Sequence, residues 1–432
     1  MLSFPYLLNN GFSLYQDMVH PYPPLLTIIL SRVFLIFGYS VTALKIVTWG
    51  FILINDLFIW LVVQKLTKSR AAAFVSVLFY VLIQPFLEGN MMWVDLGFVP
   101  LVLGGLYYFL RSLEVKKGKP NYDIIISGLL FVLAAFIKQT AVLFSFIIIF
   151  QLLIQRESKL LKRFLIAPLF IGSMFVLKLY SIGDLSHFLN WTVLYPSSSW
   201  TSFPTYVDMM LSKREIAIVS IAFVPLTLYL LFRIKEQKQN LVLWSMLVVS
   251  LIVVYPRFSF FHLQSALAIA SILVGITFAR RKQYAVIVGI LVLLYPLVQR
   301  PAFTSDWRKP DRFNTRADKE LSMKISNQVS EEETIYLLSV PSSYYVYADR
   351  LPPELWVDNF GWYYEVSGVQ ESVLSAWQEI PPDYILWKEA EVGEWYELGT
   401  YEPQMITSWI MDNYSKQEEL QNGIWLWRFM GN

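Results

Sequence analysis

The residues able to do chemistry in this chain stand where its apolar runs stop. Tyr15-Gln16-Asp17-Met18-Val19-His20-Pro21-Tyr22-Pro23-Pro24 places a carboxylate and an imidazole in a proline-stiffened loop just before a long apolar stretch. A charge at the lip of a membrane is costly to hold there, which makes it a functional candidate. Asp17 reads as a base or a group that orients an acceptor, or else as a turn residue satisfying loop amides. His20, next to Pro21, carries the same two readings. Glu88 and Asp95 bracket Gly89-Asn90-Met91-Met92-Trp93. Asp95 suits a sugar hydroxyl or a cation, or else the N-cap of the helix that follows. Lys138-Gln139 interrupts an apolar run over 124–154. An ammonium there needs an anionic partner such as a lipid phosphate, unless it snorkels to the interface. Arg257, within Tyr255-Pro256-Arg257-Phe258-Ser259-Phe260-Phe261-His262, can clamp a phosphate with two donors, and His262 can add a third. The plainer account is an aromatic belt with one anchoring cation.

Composition says what must position these groups. Hydrophobic residues make up 56% and charged residues 16% of the 432, where a soluble domain carries about a quarter charged; mean hydropathy is +0.47. The apolar residues fall in blocks of spanning length, at 43–64, 71–87, 96–112, 123–137, 140–155, 164–180, 214–233, 240–255, 264–279 and 284–299. Several are short for a bilayer, which predicts broken or shielded helices. Asn55 and Asp56 inside the first of them read as polar pairing between helices. Lys and Arg cluster in every second loop, near 65–70, 111–119, 156–163, 233–238 and 280–282. The positive-inside rule makes those loops cytoplasmic, so every candidate named above lies on the outer face. The stretch 24–37 has both ends outside and reads as an interfacial helix. The fold class is therefore an α-helical polytopic membrane protein of about ten transmembrane helices with a small outer-face α/β C-terminal domain. The predicted division is an outer loop with its interfacial helix at 1–42, a transmembrane domain at 43–300 and a soluble domain at 301–432. In the last, strand patterns at 334–340, 384–387 and 424–429 alternate with helical runs near 367–379 and 402–414, after a polar linker at 306–312.

Other function classes drop out. A formal charge of +2 gives no argument for nucleic acid. The chain has no cysteine, hence neither disulfides nor thiolate chemistry. Its three histidines, His20, His187 and His262, stand at no metal-ligand spacing from one another. No cofactor is expected, though Asp17, Glu88 and Asp95 have the oxygen ligands a divalent cation takes.

In order and sidedness these motifs resemble the GT-C superfamily of integral-membrane glycosyltransferases, the branch of protein mannosyltransferases and lipid A aminoarabinose transferase. The matching residues are Asp17 with Pro23-Pro24-Leu25, the helix 25–37 closed by Phe37-Gly38-Tyr39-Ser40, Lys138-Gln139-Thr140, and Pro256-Arg257-Phe258 with His262. The resemblance implies transfer of a sugar from a polyprenyl-phosphate donor to a protein, lipid or glycan acceptor on the extracytoplasmic face, in a membrane of prokaryotic plasma-membrane type. It casts Lys138 and Arg257 as phosphate ligands, Asp17 as the catalytic carboxylate that contacts the acceptor or helps activate it, and Gln139 and His262 as further substrate contacts; His20, Glu88 and Asp95 join them as substrate-binding candidates on their placement at the outer face. The family's first acidic motif, on a helix before this loop, has no counterpart in residues 1–432. The expectation is a chain lacking its first transmembrane helix, an inactive fragment that binds polyprenyl-phosphate but transfers sugar slowly. A flippase for lipid-linked sugars or a non-catalytic membrane scaffold are the alternatives; a flippase needs polar residues lining a path through the bilayer, whereas here they gather at one face.

Overall fold

The computed structural model describes residues 1–116, 119–204, 206, 216–217, 220, 223–224, 228, 238–255, 257–281, 316–389 and 401–431. The expected span 284–299 and the linker 306–312 lie outside the described residues, as do most of the span 214–233, the basic cluster at 233–237, Lys117 and Pro256.

A short helix α1 (Ser3–Asn9) leads through the Asp17 loop into α2 (Leu25–Phe37). Asn9 ties the two together, donating to the Ser31 carbonyl at 3.0 Å and accepting from the Ser31 hydroxyl at 2.6 Å. At 13 residues α2 is about 20 Å long, too short to cross hydrocarbon about 30 Å thick. Leu26, Thr27, Leu30, Ser31 and Phe34 face the protein, while Leu35, Ile36 and Phe37 at its end are exposed. Gly38, with φ of 76°, turns the chain sharply after it.

The bundle follows: α3 (Val41–Thr67), α4 (Arg70–Ile83), α5 (Val94–Ser112), α6 (Asp123–Ala135), α7 (Val142–Ile154), α8 (Ser158–Ser181), then helices Lys238–Ile252 and Gln264–Arg280. Among the described residues five helices have the length and apolar composition to cross a membrane. Their burial sets the layering. The stretch Phe260–Arg280 is 83% buried inside the bundle and forms its axis, whereas α8 is 6% buried and lies at the periphery. Close approaches use glycine: a Cβ on Gly275 would sit 1.9 Å from the Ser76 hydroxyl of α4, and one on Gly128 of α6 would sit 2.1 Å from the Phe164 carbonyl of α8. Asn55 of α3 donates to the Tyr80 hydroxyl of α4 at 3.0 Å, the interhelical polar pairing expected of it.

The two ends of the bundle differ in the polar groups they carry. At one end Lys65 meets Glu114 at 2.6 Å and Arg111 meets Asp123 at 3.3 Å. At the other, the chain breaks between α6 and α7 at 136–141 and carries Asp95, Lys138 and His262.

The C-terminal unit is a four-stranded sheet in the order β1-β2-β4-β3, with β1 (Ile335–Leu338) parallel to β2 (Tyr384–Lys388), and β4 (Ile424–Phe429) antiparallel to both β2 and β3 (Tyr414–Gln421). Three of these strands coincide with the alternating patterns. The fourth, β3, was not expected; the helical run near 402–414 ends at Asn413 and the chain continues directly as a strand. Asn422 and Gly423, both with positive φ, make the hairpin turn between β3 and β4. The sheet unit is docked on the N-terminal loop. Trp356 donates its N–H to the Asp17 carbonyl at 2.9 Å and accepts from the Val19 N–H at 3.0 Å, and the Tyr6 hydroxyl donates to Asp349 at 2.8 Å.

Candidate functional site

Three side chains from distant parts of the chain meet at the α6–α7 break. Lys138 donates from Nζ to Asp95 Oδ1 at 2.7 Å, and His262 Nδ1 lies 3.0 Å from Asp95 Oδ2. Lys138 Nζ and His262 Nδ1 are 3.5 Å apart, so one carboxylate holds both. Local structure explains the convergence. Lys138 has left helical geometry, with φ −141° and ψ 126°, and the 3-10 turn Gln139–Ala141 restarts the helix behind it. His262 sits on a second 3-10 turn, Phe260–Leu263, at the head of the axial helix. Stacking of Phe261 on Trp93, with centroids 4.0 Å apart, pins that turn to the start of α5.

Asp95 corrects one expectation. It is neither part of the loop 88–95 nor an N-cap: α5 begins at Val94, Trp93 takes the cap position without a side-chain bond, and Asp95 occupies the first turn. A carboxylate is favoured there by the helix dipole, and its two oxygens are engaged across the cluster, one by the Lys138 ammonium and one by the His262 ring.

Around this centre lie further polar groups. Gln139 donates to the Thr192 carbonyl at 2.9 Å, while its own Oε1 is buried without a partner. Beside it is a cavity of about 250 Å³ with apolar walls, including Pro23, Phe136, Gly172, Phe175 and Phe188. Arg257 lies close enough to act electrostatically on His262, Tyr22, Tyr206 and Tyr363. Its guanidinium carbon sits 4.6 Å from the ring centre of Trp362, a residue of the C-terminal unit. Burial first, and then the Asp95 charge, hold the Tyr22 phenol above its ordinary range, so it is a neutral donor.

The other candidates stand elsewhere. His20 is buried, and its partners fix its tautomer: Nδ1 donates to the Tyr22 carbonyl at 2.6 Å, leaving Nε2 to accept from the Thr27 hydroxyl at 2.8 Å. Burial lowers its pKa to about 4, so the ring is neutral. Asp17 accepts from the Ser13 N–H at 2.6 Å, and the charges acting with it are those of Asp184 and Glu354. No hydrogen bond or ion pair joins Asp17 to the Asp95 cluster among the described residues. Glu88 is exposed on a left-handed turn, and its carbonyl accepts from the Trp93 indole at 3.2 Å. Among the described residues no three His, Asp or Glu side chains form a metal-holding group, so Asp17, Glu88 and Asp95 do not make a joint cation site there. Sequence reasoning passed over Tyr22, Tyr206, Tyr363 and Trp362. Tyr22 stands two residues beyond His20 and was within reach of it; the others are ordinary aromatics in an aromatic-rich chain.

The fold and the comparisons agree. Residues 20–181 match the family described as dolichyl-phosphate-mannose-protein mannosyltransferase. The structure is similar to ArnT from Cupriavidus metallidurans in its apo state, at TM-score 0.60 and 8% identity, over 99% of this chain and 92% of that one. It is also similar to the archaeal oligosaccharyltransferase AglB from Archaeoglobus fulgidus in complex with an inhibitory peptide and a dolichol-phosphate, at TM-score 0.51 and 12% identity, over 89% of this chain and 64% of that one. A second structure of the Archaeoglobus fulgidus oligosaccharyltransferase, with Zn and sulfate, aligns at TM-score 0.52 and 13% identity, over 96% of this chain and 66% of that one. The chain thus spans just under two thirds of the oligosaccharyltransferase. A comparison with curated protein sequences gives no match. The likeness is one of fold: this chain shares the architecture of these solved integral-membrane structures, and the family match lies within its first 181 residues.

Proposed function

We propose that this protein transfers a sugar from a polyprenyl-phosphate donor to an acceptor at the extracytoplasmic face of a membrane. The observation that carries the reading is the Asp95–Lys138–His262 cluster at a helix break, beside Arg257 and an apolar cavity. The family match and the dolichol-phosphate in the AglB complex support the same donor chemistry. In the reaction the bond between the sugar's anomeric carbon and the phosphate oxygen breaks, and a bond from that carbon to the acceptor oxygen or nitrogen forms. The acceptor loses its proton to a base, and polyprenyl phosphate leaves with the charge. That developing charge is what preorganised cations stabilise. Lys138 and Arg257 take this role, and the apolar cavity beside Gln139 takes part of the polyprenyl tail. Asp95 holds and aims the Lys138 ammonium through their 2.7 Å contact. Asp17 is the acceptor-side carboxylate in this reading: its Oδ2 is held by Ser13, and the loop fixes its direction.

The test is equilibrium binding of radiolabelled polyprenyl phosphate, and of transfer from its sugar-charged form, in detergent. The expected result is binding by residues 1–432 that Lys138→Met and Arg257→Gln each weaken. If Asp17 serves as base, Asp17→Asn leaves binding intact and slows transfer about 10²-fold or more. Unchanged binding in both cation variants would overturn the donor site, and undiminished transfer by Asp17→Asn would remove Asp17 from the mechanism.

A further inference from the structure

Arg257 and Lys138 are held in opposite ways. Lys138 gives Asp95 a direct hydrogen bond at 2.7 Å. Arg257 has no carboxylate partner among the described residues; its guanidinium instead lies 4.6 Å from the centre of the Trp362 ring. A cation held over a ring face is fixed by the ring quadrupole, and this uses none of its five N–H donors. An acidic partner would use two of them and cancel the charge.

Trp362 is built to stay where it is. It is 5% exposed and packs edge-on against Tyr206 at 5.3 Å and tilted on Phe360 at 4.7 Å. The glycine before it allows the approach, since a Cβ on Gly361 would fall 2.7 Å from the Phe203 ring and 3.1 Å from Tyr401. The neighbouring Tyr363 ring packs on Trp200 with centroids 5.0 Å apart, tying the same short helix to the segment after α8.

The geometry points to Trp362 as a positioning residue for the proposed transfer: the C-terminal unit supplies the ring that holds Arg257 with its donors free for the lipid phosphate. The inference rests on the donor-site reading above. It makes the sheet unit part of the donor site, and its docking on the bundle a condition of phosphate affinity.

The experiment uses the full chain in detergent and measures equilibrium binding of tritiated undecaprenyl phosphate. Trp362→Leu is expected to bind about tenfold more weakly, with Trp362→Phe intermediate, because the pull of the ring on a cation falls from Trp to Phe and is absent in Leu. In an Arg257→Gln background, the same Trp362→Leu change is expected to cost less than about twofold, since Trp362 acts through the guanidinium. A purely structural tryptophan would show the same loss in both backgrounds, and that result overturns the proposal. Equal affinity in Trp362→Leu and the parent overturns it too, while leaving the donor site standing. No binding by the parent overturns both readings. If Trp362→Leu does not fold, Trp362→Tyr and Trp362→Phe decide: a graded loss supports the assignment, and parental affinity in both rejects it.

Discussion

Two polar loops meet at the same end of this bundle, and the fold treats them differently. In the 15–24 loop the two candidate side chains are satisfied locally: Asp17 by the Ser13 amide, and His20 by the Tyr22 carbonyl and the Thr27 hydroxyl. In the Lys138 region the partners come from far away, 43 residues back for Asp95 and 124 ahead for His262, and a buried carbonyl oxygen on Gln139 is left without a partner. The first loop reads as scaffold with one carboxylate at its edge. The second is a buried charged centre assembled from distant segments, the one proposed to take the donor phosphate. A polar residue beside a membrane is therefore not diagnostic by its type. What distinguishes the two is whether neighbouring backbone satisfies the group or a costly long-range pair has been built around it.

The sharpest way to break this contrast is to unpair the second centre. Lys138→Met leaves the Asp95 carboxylate buried with only His262 beside it, and should cost about 3–5 kcal/mol of stability. Lys138→Met with Asp95→Leu should recover most of that stability, without recovering phosphate binding. Thermal unfolding in detergent together with the binding assay reads both. A double variant as unstable as the single one would show that the pair is not the source of the loss.

Next comes the protonation of His20. The unfolded chain takes up a proton near the ordinary histidine value of about 6.5, whereas the folded ring holds out to about 4. Between those values the unfolded state binds more protons. The contribution of His20 is complete above about pH 6.5, falls as pH drops, and is fully lost below about 4, for a total of about 3 kcal/mol. Unfolding scans from pH 7.5 to 4 should show this decline, and His20→Gln should flatten it. An unchanged slope in His20→Gln would place the acid sensitivity elsewhere.

A smaller effect is expected at Thr27, which supplies the only hydrogen bond recorded at His20 Nε2 among the described residues. Thr27→Val keeps the shape but strands a buried acceptor, at a cost of about 1–3 kcal/mol. Smallest of all is Asp17→Asn, whose amide oxygen still accepts from Ser13. Its stability, read by thermal unfolding, should stay within about 0.5 kcal/mol of the parent's. A larger drop would mean that the Asp17 charge, not just its oxygen, holds the loop.

Much of this architecture is legible in one dimension. Apolar runs of spanning length, the alternation of basic loops, the lysine that splits 124–154 and the alternating strands of the C-terminal unit all express local periodicity and the partition between oil and water. A single chain of residues carries that information without reference to anything distant. The nomination of Lys138, Arg257 and His262 came from the same reasoning, because a cation at an apolar boundary needs a reason to be there. Two things were not legible. Asp95 looked like a loop residue or helix cap, and only the crossing of α5, α6 and the axial helix shows that it binds Lys138 and His262 at once. Trp362 is one of 15 tryptophans with no spacing to single it out; docking of the sheet unit on the Asp17 loop brings it over Arg257. The sequence by itself determined where the long apolar segments lie and which polar groups must find partners. Which partners they find was decided by tertiary structure, because pairing depends on how helices cross and domains dock, and neither is encoded in local spacing.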